Sequence, residues 1–228
     1  MDNDGTPKVL DLFGGVGGTG FGLERGGLRV LRSVDIADQP DNPLPFVKAD
    51  VFDYVGQNLE FIRSAFHLIN AAPPCQYGAA ISKGTNKRLR HTYPNLYPRT
   101  REILEAIGLP YIIENPDARP DVVLCGEMFG LKVIRHRNFE LGGWKAQQPP
   151  HIKHRGRVLG MRHGKLITPE TGGYYYSVYG DGGYKGTVQE WQSAMGIDWT
   201  DNRKSIAEAI PPAYGAWLGQ AFLTHLGK

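Results

Sequence analysis

The sequence predicts an α/β protein built on a doubly wound, mostly parallel sheet, and three observations predict it. Short apolar runs of strand length alternate with stretches of helical periodicity along the first half of the chain. Several of those runs end on an acid or a proline corner, the edge at which open α/β sheets bind ligands. A glycine-rich turn, Gly14-Gly15-Val16-Gly17-Gly18-Thr19-Gly20, follows directly on the first run.

Each element has a local reason. Residues 8–13, Lys-Val-Leu-Asp-Leu-Phe, read as the first strand, and 21–25 as a helix ended by Gly26-Gly27. Residues 28–34 form a second strand closing at Asp35, and 46–51 a third that delivers Asp50 after a proline-rich connection. An amphipathic segment follows at 58–66, then an apolar run at 66–69 that reads as a buried parallel strand. Pro73 and Pro74 stop it by fixing φ and removing backbone donors. Residues 99–107 form a helix closed by Gly108, and 111–113 a strand ending at Glu114. From about 142 to 185 the pattern gives way to Gly, Pro, His and Tyr, which predicts a small loop-rich or β-rich insert. Regular structure returns at Thr187-Val-Gln-Glu190, a capping box before Trp191. Pro211-Pro212 opens a final helix. The expected organisation is thus a core at 1–141, an insert at 142–185 and a C-terminal return to the core at 186–228.

A chain of 228 residues can bury one substantial core. Its two cysteines, Cys75 and Cys125, argue against a disulfide scaffold and for a reducing compartment. No signal segment or membrane-length apolar run occurs, so a soluble cytoplasmic protein with no membrane partner is expected. No metal site is expected either. The net charge of +3 hides an asymmetry. Residues 76–101 hold six Lys or Arg and no acid, and 131–166 hold nine against the single Glu140. Tyr93, Tyr97 and Trp144 lie among them, a composition that suits a polyanion, nucleic acid first.

Two motifs carry chemistry. Cys75, in Asn70-Ala-Ala-Pro-Pro-Cys-Gln76, is presented at a stiff corner after a strand, where a thiolate can act as nucleophile. Taken alone it is equally well a small buried hydrophobe. Gly15 to Gly20 formally matches G-x-G-x-x-G, with Asp35 closing the next strand, a nucleotide-type cofactor site in outline. That motif alone equally suggests a nicotinamide enzyme, or a turn with no ligand.

The order of landmarks separates these readings. Asp11-Leu-Phe-Gly-Gly-Val-Gly-Gly18 precedes Asp35, Asp50, Pro73-Pro-Cys-Gln76, Glu114-Asn-Pro116 and Arg135-His-Arg137. This series resembles the cytosine-5 DNA methyltransferases from residue 9 to about 219, in a short form with a reduced target-recognition region. The resemblance implies a class I methyltransferase fold, S-adenosyl-L-methionine as cofactor and methylation of carbon 5 of cytosine in DNA, with RNA the less expected polymer. It implies Cys75 as the nucleophile that adds to carbon 6, Glu114 as donor to ring nitrogen 3, and Asn115 as the residue shaping that loop. Arg137 would contact the ring carbonyl, with Arg135 near Cys75 or the phosphates. Phe13, Gly15, Gly17, Gly18, Asp35, Ile36, Asp50, Val51 and Pro73 would bind cofactor. Lys83, Lys87, Arg88 and Arg90 would contact DNA from a loop that closes over a flipped base, and Lys153 and Arg155 from the insert. A monomer in a prokaryotic cell, the gene being of bacterial or phage origin, completes the expectation, with protection in restriction–modification as a candidate role.

The chain departs from the family pattern at Val133, where a Gln is usual, at Glu208, where an Asn is usual, and at Pro116. An RNA cytosine methyltransferase and a catalytically idle DNA-binding relative are the alternatives that remain.

Overall fold

A computed structural model describes residues 5–74, 94–179 and 185–228. Seven strands form one sheet in the order β3-β2-β1-β4-β5-β7-β6. They are β1 (Lys8–Leu12), β2 (Arg29–Asp35), β3 (Phe46–Lys48), β4 (Leu68–Ala71), β5 (Tyr111–Glu114), β6 (Val122–Leu124) and β7 (Arg137–Gly142). The first five pair in parallel, whereas β7 runs antiparallel to both β5 and β6. The predicted doubly wound α/β architecture is the observed one.

The pleat sorts the core. Val9, Leu68 and Ile112 face α1 (Gly18–Arg25) and the last helix, while Leu10, Ile69 and Ile113 face α2 (Val51–Ala65) and α3 (Tyr97–Ile107). Adjacent residues of one strand thus serve opposite layers, as a side-chain period of two requires. A third cluster, around Trp191 and Ile206, packs α4 (Val188–Met195) and α5 (Arg203–Glu208) against Val16 and Val133. The usual Gln is therefore replaced by a core valine that is only 2% exposed.

Several boundaries differ from expectation, each for a local reason. Val51 opens α2 instead of closing β3, because the Asp50 side chain accepts from the Phe52 and Asp53 amides and caps the helix there. The segment expected from residue 58 is the second half of that helix. Asn58 breaks it with φ −122°, its side chain donating to the Tyr54 carbonyl. The strand expected at 66–69 lies at Leu68–Ala71, since Phe66 ends α2. Thr187 caps α4 with the expected box to Glu190.

The helix expected at 21–25 begins at Gly18, and packing explains why. A Cβ at Gly22 would meet the Pro212 carbonyl oxygen at 2.2 Å and the Gly215 Cα at 2.9 Å. One at Gly26 would meet the Ala216 oxygen at 2.5 Å, and one at Gly215 the Thr19 oxygen at 2.3 Å. Glycines four residues apart on α1 and on α6 (Pro212–His225) thus bring two backbones into direct contact.

The insert contains a hairpin, β9 (Gly160–Arg162) and β10 (Lys165–Ile167), turned at His163-Gly164 with positive φ at both. A parallel pair joins β8 (Arg157–Val158) and β11 (Gly173–Tyr175). Among the described residues no helix is long and apolar enough to cross a membrane.

Gly22→Ala should destabilise the protein by about 1–3 kcal/mol, because the added methyl meets backbone that cannot rotate away. Urea unfolding of the two proteins measures it; an unchanged midpoint would show slack between α1 and α6.

Candidate active site

A cleft of about 680 Å3 opens where β1, β2, β4 and β5 end. Phe13 to Val16, Asp35, Asn70, Pro73, Pro74, Glu114, Arg135 and Arg137 line it, and Asn202, Ser205, Glu208 and Ile210 close it from the C-terminal return.

Its floor is a polar rung across three central strands. Asp11 lies in register with Ser33 on one side and Asn70 on the other, all three at most 1% exposed. Asn70 Nδ2 donates to Asp11 Oδ1 at 2.7 Å, and Ser33 Oγ donates to Asp11 Oδ2 at 3.0 Å. Burial raises the Asp11 carboxyl from the usual carboxylate range to about 6, against the two hydrogen bonds, which favour its charge, and with Asp35 repelling it. Asn70 Oδ1 is a buried acceptor with no partner among the described residues. Asn70 itself lines the cleft.

The glycine loop is held from outside. Asp35 accepts from the Gly15 amide at 3.0 Å and from the Ala37 amide at 2.9 Å, one on each carboxylate oxygen. Asn42 donates to the Gly15 carbonyl at 2.8 Å. Gly15 and Gly17 have φ of +52° and +87°, which lets the loop turn tightly over the sheet edge. Phe13 and Arg135 also adopt positive φ, 56° and 40°. Such strain on non-glycine residues concentrates at functional sites, and both line this cleft.

On the opposite wall, Arg137 Nε lies 3.0 Å from Glu114 Oε1. Burial raises the Glu114 carboxyl above its ordinary range, and Arg137 and then Arg135 oppose that shift. A buried glutamic acid so placed can hold a proton and donate it. Asn115 Nδ2 donates to the Pro73 carbonyl at 3.3 Å, tying the end of β5 to the proline corner. Arg135 donates to the carbonyls of Val178, Ala207 and Ala209 at 2.9, 2.5 and 2.7 Å. Its own carbonyl accepts from Tyr214 Oη at 2.8 Å. Arg135 therefore clamps insert and C-terminal return onto the cleft.

Of the residues the sequence singled out, the structure gathers Phe13, Gly15, Gly18, Asp35, Pro73, Glu114, Arg135 and Arg137 around one cleft. Gly17, Ile36, Asp50 and Val51 are not on its wall: Asp50 caps α2, Val51 is buried in the core, and Ile36 is 67% exposed. Cys75, Lys83, Lys87, Arg88 and Arg90 lie outside the described residues; Pro74, one residue before Cys75, lines the cleft. Lys153 is exposed. Arg155 is bound at 2.5 Å to Glu127 and lies over the Tyr174 ring. Trp144, grouped by sequence with the basic residues, is instead a core side chain, donating to the Tyr111 carbonyl and packed on Phe222. Cys125 is fully buried, and its thiol is pushed up by burial, so it is no nucleophile. The rung residues Asp11, Ser33 and Asn70 escaped the sequence reading. Their signal was a polar residue inside each of three apolar strand runs.

No family model matches the chain, and no curated protein matches it in sequence. Solved structures do match its fold, which is that of methyltransferases. One is described as a candidate DNA modification methyltransferase encoded within an E. coli prophage, at TM-score 0.66 and 13% identity over 98% of this chain and 100% of that one. Another is Spodoptera frugiperda DNMT2 carrying three substitutions, at TM-score 0.63 and 13% identity, again over 98% and 100%. The Entamoeba histolytica methyltransferase EhMeth matches at 0.60 and 13%, over 98% and 99%.

The raised Asp11 carboxyl has a consequence for pH. Folded Asp11 holds its proton more tightly than the unfolded chain does, so its contribution to stability is complete below about pH 4 and is lost as pH rises through about 6. That difference in proton affinity corresponds to roughly 2–3 kcal/mol. Asp11→Asn should remove that part of the pH dependence, measured as the difference in unfolding free energy between pH 4 and 7. Parallel profiles for the two proteins would refute it.

Proposed function

We propose that the protein transfers a methyl group from S-adenosyl-L-methionine to carbon 5 of cytosine in DNA. One observation carries the reading most directly: Glu114, its carboxyl raised by burial and backed by Arg137, shares a cleft with a glycine loop and the proline corner leading to Cys75. The order of motifs and the methyltransferase fold support it.

The cleft's donor set suits the cofactor. Phe13 offers a face for the adenine, and Gly15 and Gly18 let backbone approach the ligand. Each Asp35 oxygen has spent one acceptor site on a loop amide and keeps another for a ribose hydroxyl. Asn70 Oδ1 waits for a donor. When bound, S-adenosyl-L-methionine supplies an electrophilic methyl group on a sulfonium.

The chain's own residues do the rest. Carbon 5 of cytosine is a poor nucleophile until carbon 6 is attacked. The Cys75 thiolate forms a bond to carbon 6 while Glu114 donates its proton to nitrogen 3, so the ring gains an enamine whose carbon 5 takes the methyl. Loss of the proton from carbon 5 to a base then expels Cys75, and nitrogen 3 returns its proton to Glu114 as the ring is restored. Arg137 holds the ring carbonyl and the Glu114 carboxyl together, and Arg135 positions the closing segments. Carbon 6 is inaccessible in a stacked duplex, so the target base must leave it. The insert at 142–185, with exposed Lys153, serves as a small target-recognition region between core and C-terminal return. Arg155, held by Glu127, braces that insert, so Lys153 is the better phosphate contact.

Labelled S-adenosyl-L-methionine incubated with DNA and, separately, RNA should mark carbon 5 of cytosine in DNA. Cys75→Ala should still bind the cofactor by calorimetry and transfer nothing. DNA containing 5-fluorocytosine should give a denaturation-resistant adduct at Cys75, because fluorine cannot leave as a proton does. Normal turnover by Cys75→Ala, or transfer to RNA alone, overturns the proposal.

Glu114→Gln should keep its affinity for nucleic acid and lose about a hundredfold or more in transfer rate, since an amide N–H can hydrogen-bond to nitrogen 3 but is far too weak an acid to transfer its proton. An unchanged single-turnover rate would make Glu114 structural.

A further inference from the structure

Outside the cleft, one cluster of side chains has no part in this chemistry. Cys125, His136, His151 and His154 turn one ligand atom each toward a common point, all four atoms lying within 4.8 Å of one another. Cys125 Sγ is 3.4 Å from His154 Nε2, and His136 Nε2 is 3.0 Å from His151 Nε2. Around a tetrahedral zinc, with Zn–S of about 2.3 Å and Zn–N of about 2.0 Å, neighbouring ligand atoms sit about 3.3–3.6 Å apart. The observed separations are those of a site that needs only small rotations to close.

From this geometry we infer a structural zinc site of one cysteine and three histidines, with Cys125, His136, His151 and His154 as its ligands. A thiolate with three imidazoles suits zinc, whereas magnesium and calcium take oxygen ligands. Four protein ligands leave no open position, which makes the site structural in kind. Cys125 binds as the thiolate and gives its proton to solvent. In the absence of a cation the Cys125 thiol donates to the Ile134 carbonyl at 3.1 Å, a bond that a thiolate ligand would give up. Three imidazoles face one another, and Glu127, the acid beside Cys125, has its carboxylate engaged by Arg155 and Tyr175.

The surroundings are built to hold the ligands in place. Arg155, next to His154, is pinned twice: its side chain to Glu127 at 2.5 Å and its amide to Tyr175 Oη at 2.8 Å. These contacts fix the backbone that carries His154. The metal would join the turn after β6 and the approach to β7, which the pairing of Leu124 with Arg137 already sets side by side, to the start of the insert. His136 stands between Arg135 and Arg137, both on the cleft wall. Zinc would therefore staple the insert to the core and fix the backbone that presents those arginines. The inference does not depend on the proposed methyl transfer.

The test uses the full chain, freed of any purification tag and dialysed against metal-free buffer. Elemental analysis should find about one zinc per chain. Cobalt(II) in its place should give the strong visible bands of tetrahedral cobalt and a near-ultraviolet thiolate charge-transfer band, which Cys125→Ser abolishes. His154→Ala should weaken zinc binding at least tenfold, and chelation should lower the melting temperature of the parent reversibly. A chain that neither retains zinc nor takes it up on titration overturns the inference. So does a cobalt spectrum without the thiolate band, or zinc held as tightly by Cys125→Ser and His154→Ala as by the parent.

Discussion

Gly22 and Gly26 on the first helix meet Gly215 and Gly219 on the last at backbone-contact distance, and the cleft depends on that meeting. Any side chain at these positions would force the helices apart. With them together, the chain's end lies against its beginning, and Tyr214 reaches the Arg135 carbonyl. Arg135 in turn holds Ala207 and Ala209, which place Asn202, Ser205 and Ile210 over the glycine loop. Gly18 is part of the same constraint, since a Cβ there would meet the Ile210 oxygen at 2.3 Å. One close contact between helices thus closes a site whose two walls are separated by most of the sequence.

Beneath it, the polar rung of Ser33, Asp11 and Asn70 gives the cleft its electrical character. An acid inside three packed strands is costly, and the two hydrogen bonds offset only part of that cost. The same rung anchors the loop above: Asn42 bridges Ser33 Oγ and the Gly15 carbonyl, linking floor to loop. Glu114 is a second buried acid, and burial raises its carboxyl even with Arg137 only 3.0 Å away. Two carboxyls raised by desolvation thus line one cleft, the kind of perturbation that concentrates at functional sites.

The insert is small, and its hold on the core is correspondingly specific. Tyr175 is buried and bonded to Glu127, the Tyr176 amide donates to the Lys132 carbonyl at 2.7 Å, and Arg155 completes the attachment. These contacts converge on the turn after β6, beside the Cys125–histidine cluster. Arg155 is thus engaged in internal anchoring, which leaves one fewer basic side chain to meet a polyanion than composition suggests.

The sequence by itself determined the five parallel strands of the sheet, whereas β6 and the antiparallel β7 went unread. Apolar runs with strand spacing, the proline corner at Pro73-Pro74, the capping box at Thr187 and the acids closing β2 and β5 each act through near neighbours, so each was legible without a fold. Helix starts were less so, because Asp50 and Gly18 could serve a loop as well as a helix, and distant packing chose. Only the tertiary structure decided what needs two remote segments. It made the glycines of α1 a packing surface, turned Trp144 inward, gave Arg135 its carbonyl partners and set Asp11, Ser33 and Asn70 side by side. It also brought Cys125 and His136 to His151 and His154, whose spacing along the chain forms no contiguous motif. Local patterns record backbone preference and burial; convergence depends on which strands become neighbours and how closely two helices approach.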